Sequence, residues 1–410
     1  MARTSYDDWN FMGEVQETDR RIRLSRTAKN QQVNSQRNSF IFLCIVILLT
    51  FMGLVCIYSA SFEAAVNNGL PHYSYLIRQG IYVLAGIMLA VLINVLPEGA
   101  LRVLSPVLFF ASIIALAVDL VLGRHFLMTP DTVNILFLSC VMYMAQYFSS
   151  RGNRLSSARQ FLPPFFGCFI VLAMILLQRN FSYAAMFLAL SVTMFAAGGV
   201  GLFGVILVVL YVSVPVACMI LSKSERILQL AGFLIPGLGT GARTDEILIV
   251  RSAVSSGSWF GKGLGGGTFK SGLIRDITGR NILANICEEL GFWGVVMIVL
   301  FIALYAFVGY AAARRIRRQN GFYSNLAIGI TTLVVWQFIL NVLWVLGYLP
   351  TDGLPMPFFS FGIGIIPILF ESGILYRITR EKLTGEDTGK VLESIQEELM
   401  FPEIYDFEKT

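Results

Sequence analysis

Stretches of about twenty residues with almost no charge recur along this chain, and they limit its fold more than any other feature. The first, residues 39–60, reads SFIFLCIVILLTFMGLVCIYSA and carries no Asp, Glu, Lys or Arg. An α-helix rises about 1.5 Å per residue, so about twenty residues cross the roughly 30 Å hydrocarbon core of a bilayer. In lipid the backbone has to satisfy its own hydrogen bonds, which leaves helices or closed barrels. The apolar runs are continuous and not alternating, which points to helices and away from a barrel. Composition agrees: the 410 residues are 56% hydrophobic and 14% charged, against roughly 25% charged in soluble domains. The expected fold class is an all-α integral membrane protein.

Ten spans are expected, at 39–60, 78–96, 103–122, 132–148, 161–178, 181–198, 201–221, 282–312, 323–346 and 358–376. Basic residues in short loops set the orientation, because they stay on the cytoplasmic side. With the N-terminus inside, Arg102, Arg151, Arg154 and Arg159, the cluster Arg314, Arg315, Arg317 and Arg318, and Arg377, Arg380 and Lys382 all fall inside. Arg78, Arg124 and Arg179 are what the outer short loops hold. Ten spans return the C-terminus to the inside and make 222–281 a large extracytoplasmic loop between spans seven and eight. The expected organisation is a polar cytoplasmic tail at 1–38, with an amphipathic helix near Glu14–Arg26, a transmembrane domain at 39–381, and an acidic cytoplasmic tail at 382–410.

Other function classes find little support. The six cysteines form no CxxC pair, and two histidines, His72 and His125, make no zinc site and no Ser/His triad. Free cysteines inside apolar runs read as small core residues. No nucleic-acid partner is expected.

Ionisable residues in spans are costly and tend to mark function. Asp119, Gln178, Arg179, Asn180, Glu288 and Glu289 all fall at outer span ends, and Glu371 lies toward the inner end of span ten. The other reading of Asp119 and Glu371 is that they snorkel or pair with a neighbouring helix, and that of Glu288 and Glu289 is that they complement the positive end of a helix dipole. The densest polar stretch is Trp259–Gly291, WFGKGLGGGTFKSGLIRDITGRNILANICEELG. Gly261, Gly263, Gly265, Gly266 and Gly267 are either turn residues or a loop whose N–H groups approach an anion. Lys262 and Lys270 favour the anion, and a lipid-linked pyrophosphate is the kind that a membrane-edge loop suits. A second stretch, Leu349–Gly364 (LPTDGLPMPFFSFGIG), contains Pro350, Pro355 and Pro357 and cannot continue a helix. A rigid re-entrant turn packed against the glycine loop is expected there.

At these two stretches the chain resembles the SEDS family (shape, elongation, division and sporulation). The resemblance covers most of 39–381. It rests on MGLVCIYSAS (Met52–Ser61), RQG (Arg78–Gly80), SGSWFGKGLGGG (Ser256–Gly267), EELGFWG (Glu288–Gly294), NVLWVLGYLPTDGLPMPFFSFG (Asn341–Gly362) and ILYRITRE (Ile374–Glu381). The PTDGL form is closer to the family's division branch than to its elongation branch. The resemblance implies a ten-span fold with both termini inside and a peptidoglycan glycosyltransferase acting on lipid II outside the membrane. It further implies a single-span penicillin-binding transpeptidase and other divisome proteins as partners. It implies substrate contacts at Lys262, Gly263, Gly265, Lys270, Glu288, Glu289, Pro350, Thr351, Pro357 and Ser360. A divalent cation, Mg or Mn, is a possible cofactor.

The chain also departs from the family pattern. The family carries an acid-x-His-Thr-Asp-Phe segment ahead of EELG and its aspartate is taken as catalytic; here Asp276, Thr278 and Arg280 stand at the acid, histidine and aspartate positions. Where some members have a lysine in the last outer loop, this chain has Asp352. The motif between spans three and four is reduced to GRHFLMTPDT, and the one after span five to QRNFS. The opposite signs of Arg280 and Asp352 suggest an ion pair with its partners exchanged. Asp276, Arg280 and Asp352 are therefore the candidate catalytic residues. Alternatives are a SEDS scaffold that has lost catalysis, or a flippase of lipid-linked precursors.

Overall fold

The computed structural model describes residues 4–122, 133–151, 158–178, 180–199, 242–269, 274, 276–349 and 353–381, with isolated positions between 204 and 213. Side chains are described from Gln36 onward, except at 158, 159 and 242–247. Ten helices follow one another: α1 (Thr4–Asn67), α2 (Ser74–Val95), α3 (Glu98–Leu122), α4 (Val133–Ser150), α5 (Ala158–Leu177), α6 (Phe181–Ala197), α7 (Ala242–Ser256), α8 (Ile282–Ile316), α9 (Gly321–Val345) and α10 (Ile365–Arg380). Every regular element among the described residues is α-helical. Two compact units are distinguished, Met1–Ile41 with Thr379–Thr410, and Phe42–Ile378, which holds the bundle.

Among the described residues, seven helices are long and apolar enough to cross a membrane, and Phe181–Ala197 is a shorter apolar one. The all-helical, multi-pass membrane architecture expected from the apolar runs is the one found. Nine of the expected spans overlap described helices; the seventh, 201–221, lies mostly outside the described residues, and the 382–410 tail and the side chains of residues 1–35 lie outside them. The short amphipathic helix expected near Glu14–Arg26 is part of the longer α1. The last span differs. It was expected to begin near 358, whereas α10 begins at Ile365. Residues 353–364 are irregular because proline lacks the N–H a helix needs, and because Phe358 (φ 67) and Gly362 (φ 135) adopt backbone angles that no helix contains.

α9 is the central helix and packs on α8, α4 and α6. In α4 and α9, 67% of the most apolar window is buried within the protein, against 22% in α2. α2 is thus a peripheral helix whose apolar side chains face lipid. Lipid tails remove the hydrophobic drive between helices, so close contact relies on small residues. Gly86 and Ala90 on α2 meet Leu369 and Gly373 on α10, and a Cβ at Gly373 would lie 2.6 Å from that of Ala90. On α1, a Cβ at Gly53 would collide with the carbonyl oxygen of Phe358. The irregular stretch is thereby wedged against the first span, with the Phe358 ring 6.0 Å from that of Tyr305.

Candidate functional site

The site begins at a break in α8. Gly291 has φ 66 and ψ −163, an angle pair open essentially to glycine alone. It divides the helix into a short N-terminal piece and a long span. A break frees carbonyls before it and N–H groups after it, and in a membrane each has to find a partner. The glycine loop provides them. Lys262 N donates to Glu288 O at 2.9 Å and Gly263 N to Glu289 O at 2.9 Å; Phe292 N donates to Ser258 O at 3.0 Å and Trp293 N to Trp259 O at 3.3 Å. Such backbone-to-backbone contact leaves no room for side chains. A Cβ at Gly257 would collide with Cys287 O, and one at Gly261 with Glu289 O.

The docked loop closes over two buried carboxylates. Glu288 Oε1 accepts from Lys262 Nζ at 2.6 Å, Thr268 N at 2.7 Å and Thr268 Oγ1 at 2.9 Å, while Oε2 accepts from Phe269 N at 3.2 Å. All are donors and match the ionised carboxylate. The Lys262 ammonium also lies 5.6 Å from the centre of the Phe269 ring. Glu289 Oε2 accepts from Ser59 Oγ on α1, and Ser59 Oγ accepts from Gly265 N at 3.0 Å. Lys262, Thr268 and Phe269 thus hold the protein's own Glu288 carboxylate, where the glycines and lysines of the loop pointed to an external pyrophosphate. Charge-assisted bonds of this kind contribute about 1.5–3 kcal/mol each.

A second group of residues lies on the same segment, just before α8. Asp276, at φ 50, opens a tight turn. Its Oδ2 accepts from Arg280 Nε at 3.1 Å and from Arg280 N at 3.3 Å. Both side chains are exposed by nearly half, at 45% and 41%. The 353–364 stretch holds this turn. Phe361 N donates to Thr278 O at 2.7 Å, Ser360 Oγ to Gly279 O at 2.9 Å, and Asn341 Nδ2 to Arg280 O at 2.9 Å. Ser360 Oγ also receives Met356 N at 2.6 Å, and Asn341 Nδ2 also reaches Leu354 O. Trp344 Nε1 donates to Asn281 Oδ1 at 3.1 Å. From α2, Gln79 Oε1 accepts from Gly362 N at 3.0 Å. The re-entrant stretch and the glycine-loop segment therefore pack together as expected.

Asp276 and Arg280 face a cleft of about 320 Å³. Its other walls are Asn180, Phe181, Ser182 and Tyr183 at the start of α6, with Gly279, Gly353, Pro355 and Phe361. The volume is in the range of about 300–1,000 Å³ typical of ligand pockets. Half-exposed charges of opposite sign beside aromatic rings suit a sugar or a phosphate, the former by stacking and the latter by the guanidinium.

The expected site residues thus fall in two places. Asp276 and Arg280 line the cleft. Lys262, Gly263, Gly265, Glu288 and Glu289 form the loop–helix clamp. Pro357 is buried in the re-entrant stretch, and Ser360 there bonds to the Asp276–Arg280 turn. Lys270, Pro350, Thr351 and Asp352 lie outside the described residues, so the carboxylate seen beside Arg280 is that of Asp276. Glu371, for which snorkelling or pairing with a neighbouring helix was the alternative to a functional role, is fully buried, and its carboxyl has no hydrogen-bond partner among the described residues. Sequence reasoning missed Ser59, Gln79, Asn285 and Asn341 as site residues. All four are polar residues in or at the ends of apolar spans, which is the signal that could have found them.

The comparisons with known proteins give the chain's family and its fold. The model of a family described as "Cell cycle protein", that of FtsW, RodA and SpoVE, matches residues 39–384. The chain is 29% identical over 368 residues to a "Probable peptidoglycan glycosyltransferase FtsW" of Trichlorobacter lovleyi, covering 85% of this chain and 95% of that one. It is 28% identical over 366 residues to a protein of the same description from Geobacter sp., covering 83% and 96%. Among solved structures, a chain described under "Structural coordination of polymerization and crosslinking by a peptidoglycan synthase complex" superposes with a TM-score of 0.69 at 21% identity, covering 84% and 98%. The rod shape determining protein RodA of Thermus thermophilus superposes with a TM-score of 0.60 at 19% identity, covering 84% and 97%. At these identities the solved structures establish the fold alone.

Proposed function

The chain belongs to the cell cycle protein family of FtsW, RodA and SpoVE, and we propose that it is a peptidoglycan glycosyltransferase that polymerises lipid II during cell division. The observation that carries this reading is the Asp276–Arg280 pair, 3.1 Å apart in a cleft beside the family's glycine loop. Polymerisation needs a base to take the proton from an attacking sugar hydroxyl and a cation to stabilise the departing lipid diphosphate. Asp276 supplies the base and Arg280 the cation. Their bond opens as substrate enters, the guanidinium turning to the diphosphate and the carboxylate to the hydroxyl. The cleft opens on the extracytoplasmic side, as the distribution of basic residues implies. Relatives described as peptidoglycan glycosyltransferases support the activity. A fold neighbour from a peptidoglycan synthase complex supports a penicillin-binding transpeptidase as partner; the division site is the place of action in this reading.

A second reading is a scaffold that holds a transpeptidase without polymerising. One observation favours it: Arg280 occupies the position where the family resemblance places a catalytic aspartate. Incubating the purified full-length protein and its transpeptidase with lipid II separates the two. Glycan strands support the transferase. Intact partner binding with no strands supports the scaffold.

A further inference from the structure

Three buried sulfurs meet between α4 and α5. Cys140 and Met144 are spaced i and i+4, so one face of α4 presents both. Cys168, from the middle of α5, meets them there: its Sγ lies 3.8 Å from Cys140 Sγ and 3.7 Å from Met144 Sδ. Cys140 and Met144 are each 1% exposed and Cys168 is 0% exposed. Both cysteines are free thiols. One buried thiol packs like a small hydrophobe and needs no further account. Two thiols and a thioether in mutual contact, drawn from two helices, are a set of soft ligands.

The spacing suits a bound ion. A metal–thiolate bond is about 2.3 Å long, so three sulfurs placed trigonally around one ion stand about 4.0 Å apart. The measured separations of 3.7 and 3.8 Å fall short of that by only about 0.3 Å. Small side-chain rotations make up the difference. Thiolate and thioether ligands select Cu+ or Zn2+. Structural zinc takes four ligands, and among the described residues no three His, Cys, Asp or Glu side chains converge to supply them. Charge favours the same choice, since an uncompensated charge inside a membrane bundle costs about 2.5–3.5 kcal/mol or more. A Cu+ ion that displaces one thiol proton leaves the triad neutral with the second thiol intact. Zn2+ has to ionise both.

We propose that Cys140, Met144 and Cys168 form a binding site for a soft monovalent cation, Cu+. Binding is an exchange. The ion bonds to the three sulfurs, one S–H bond breaks, its proton leaves to water, and no electron is transferred. The site joins α4, which packs on the central α9, to α5. Helix α5 ends at Leu177, just ahead of the cleft wall that starts at Asn180. A bound ion thus fixes the helix that leads into that wall. None of the three residues lines the cleft itself, so the inference does not depend on the transferase reading and either can fail alone.

The test is transfer of Cu+ from its coloured bicinchoninate complex, under ascorbate, to the purified full-length protein in detergent. The parent carries Cys44→Ala, Cys56→Ala, Cys218→Ala and Cys287→Ala, which removes the other four thiols and leaves the triad. One Cu+ per chain is expected, with X-ray absorption showing three sulfurs at about 2.3 Å. Adding Cys168→Ala removes a ligand, and Met144→Leu keeps the volume but removes the thioether. Each is expected to weaken Cu+ binding by about 10–100-fold or more, the scale on which perturbed metal sites lose affinity. If the parent does not fold, the natural protein is compared with its Cys168→Ala form, and tight uptake is expected to fall by one ion per chain. The proposal is overturned if the triad takes up no stoichiometric Cu+, or if binding is unchanged in either Cys168→Ala or Met144→Leu.

Discussion

Gly261 and Gly263 lie two residues apart, share a left-handed backbone, and differ in what a side chain would meet. Their φ angles are +72 and +89. A Cβ at Gly263 has nothing within 4 Å, whereas one at Gly261 collides with the carbonyl of Glu289. Gly263→Ala is thus expected to cost only the left-handed strain of an L-residue, about 1–2 kcal/mol. Gly261→Ala bears the same strain and also drives the loop off the broken helix. That breaks the bonds from Lys262 N to Glu288 O and from Gly263 N to Glu289 O. Each is worth about 0.5–1.5 kcal/mol net, and more where the carbonyl is left buried and unpaired. The total for Gly261→Ala comes to about 2–5 kcal/mol. Denaturant titration of the two variants side by side in detergent measures the difference. Equal destabilisation would refute the claim that the loop completes the hydrogen bonding of the α8 break.

Three further outcomes follow from the same geometry. Lys262→Met leaves Glu288 with its backbone donors and Thr268 but without its ammonium, 2.6 Å away; because the lysine is about one-third exposed, a loss of about 1–2 kcal/mol is expected in the same titration, and none if the pair is merely superficial. Ser360→Ala removes the hydroxyl that joins Met356 N to Gly279 O; it should destabilise by about 1–2 kcal/mol and speed proteolysis within 276–280, while unchanged cleavage there would show that the re-entrant stretch does not hold the turn. Arg280→Asp sets a second carboxylate beside Asp276, and at this exposure should cost under about 1 kcal/mol; if Asp352 also faces Arg280, combining it with Asp352→Lys restores stability, and strictly additive effects exclude that exchanged pair.

Much of the bundle is legible in the sequence because length and continuity of apolar runs decide it. The limits of α2, α4, α5 and α6 lie within a few residues of the expected spans. The two polar stretches could also be found, since glycine and proline declare irregular backbone. What they do to each other could not. Lys262 reads as a free cation in a glycine loop, and only the fold places Glu288, 26 residues on, within 2.6 Å of it. Ser59 and Gln79 each act on partners more than 200 residues away, and no local period reveals such a contact. Gly291 looks like an ordinary glycine in a long apolar helix, because periodicity reports which face is buried and not where the helix breaks. The late start of α10 was missed for a related reason: MPFFSFGIG is apolar enough to pass for membrane span, yet Phe358 and Gly362 take it out of helical geometry.

The central claim is that the Asp276–Arg280 cleft makes glycan strands, and the most direct measurement is lipid II polymerisation by the purified protein and by its Asp276→Asn variant. Asn keeps the size and the hydrogen bond to Arg280 but cannot take a proton, so the variant should fold and bind its partner normally. The account predicts strands from the natural protein and a fall of about 100-fold or more in their rate from Asp276→Asn, the contribution typical of a general base. Equal polymerisation by the two, or strands from neither, would contradict it.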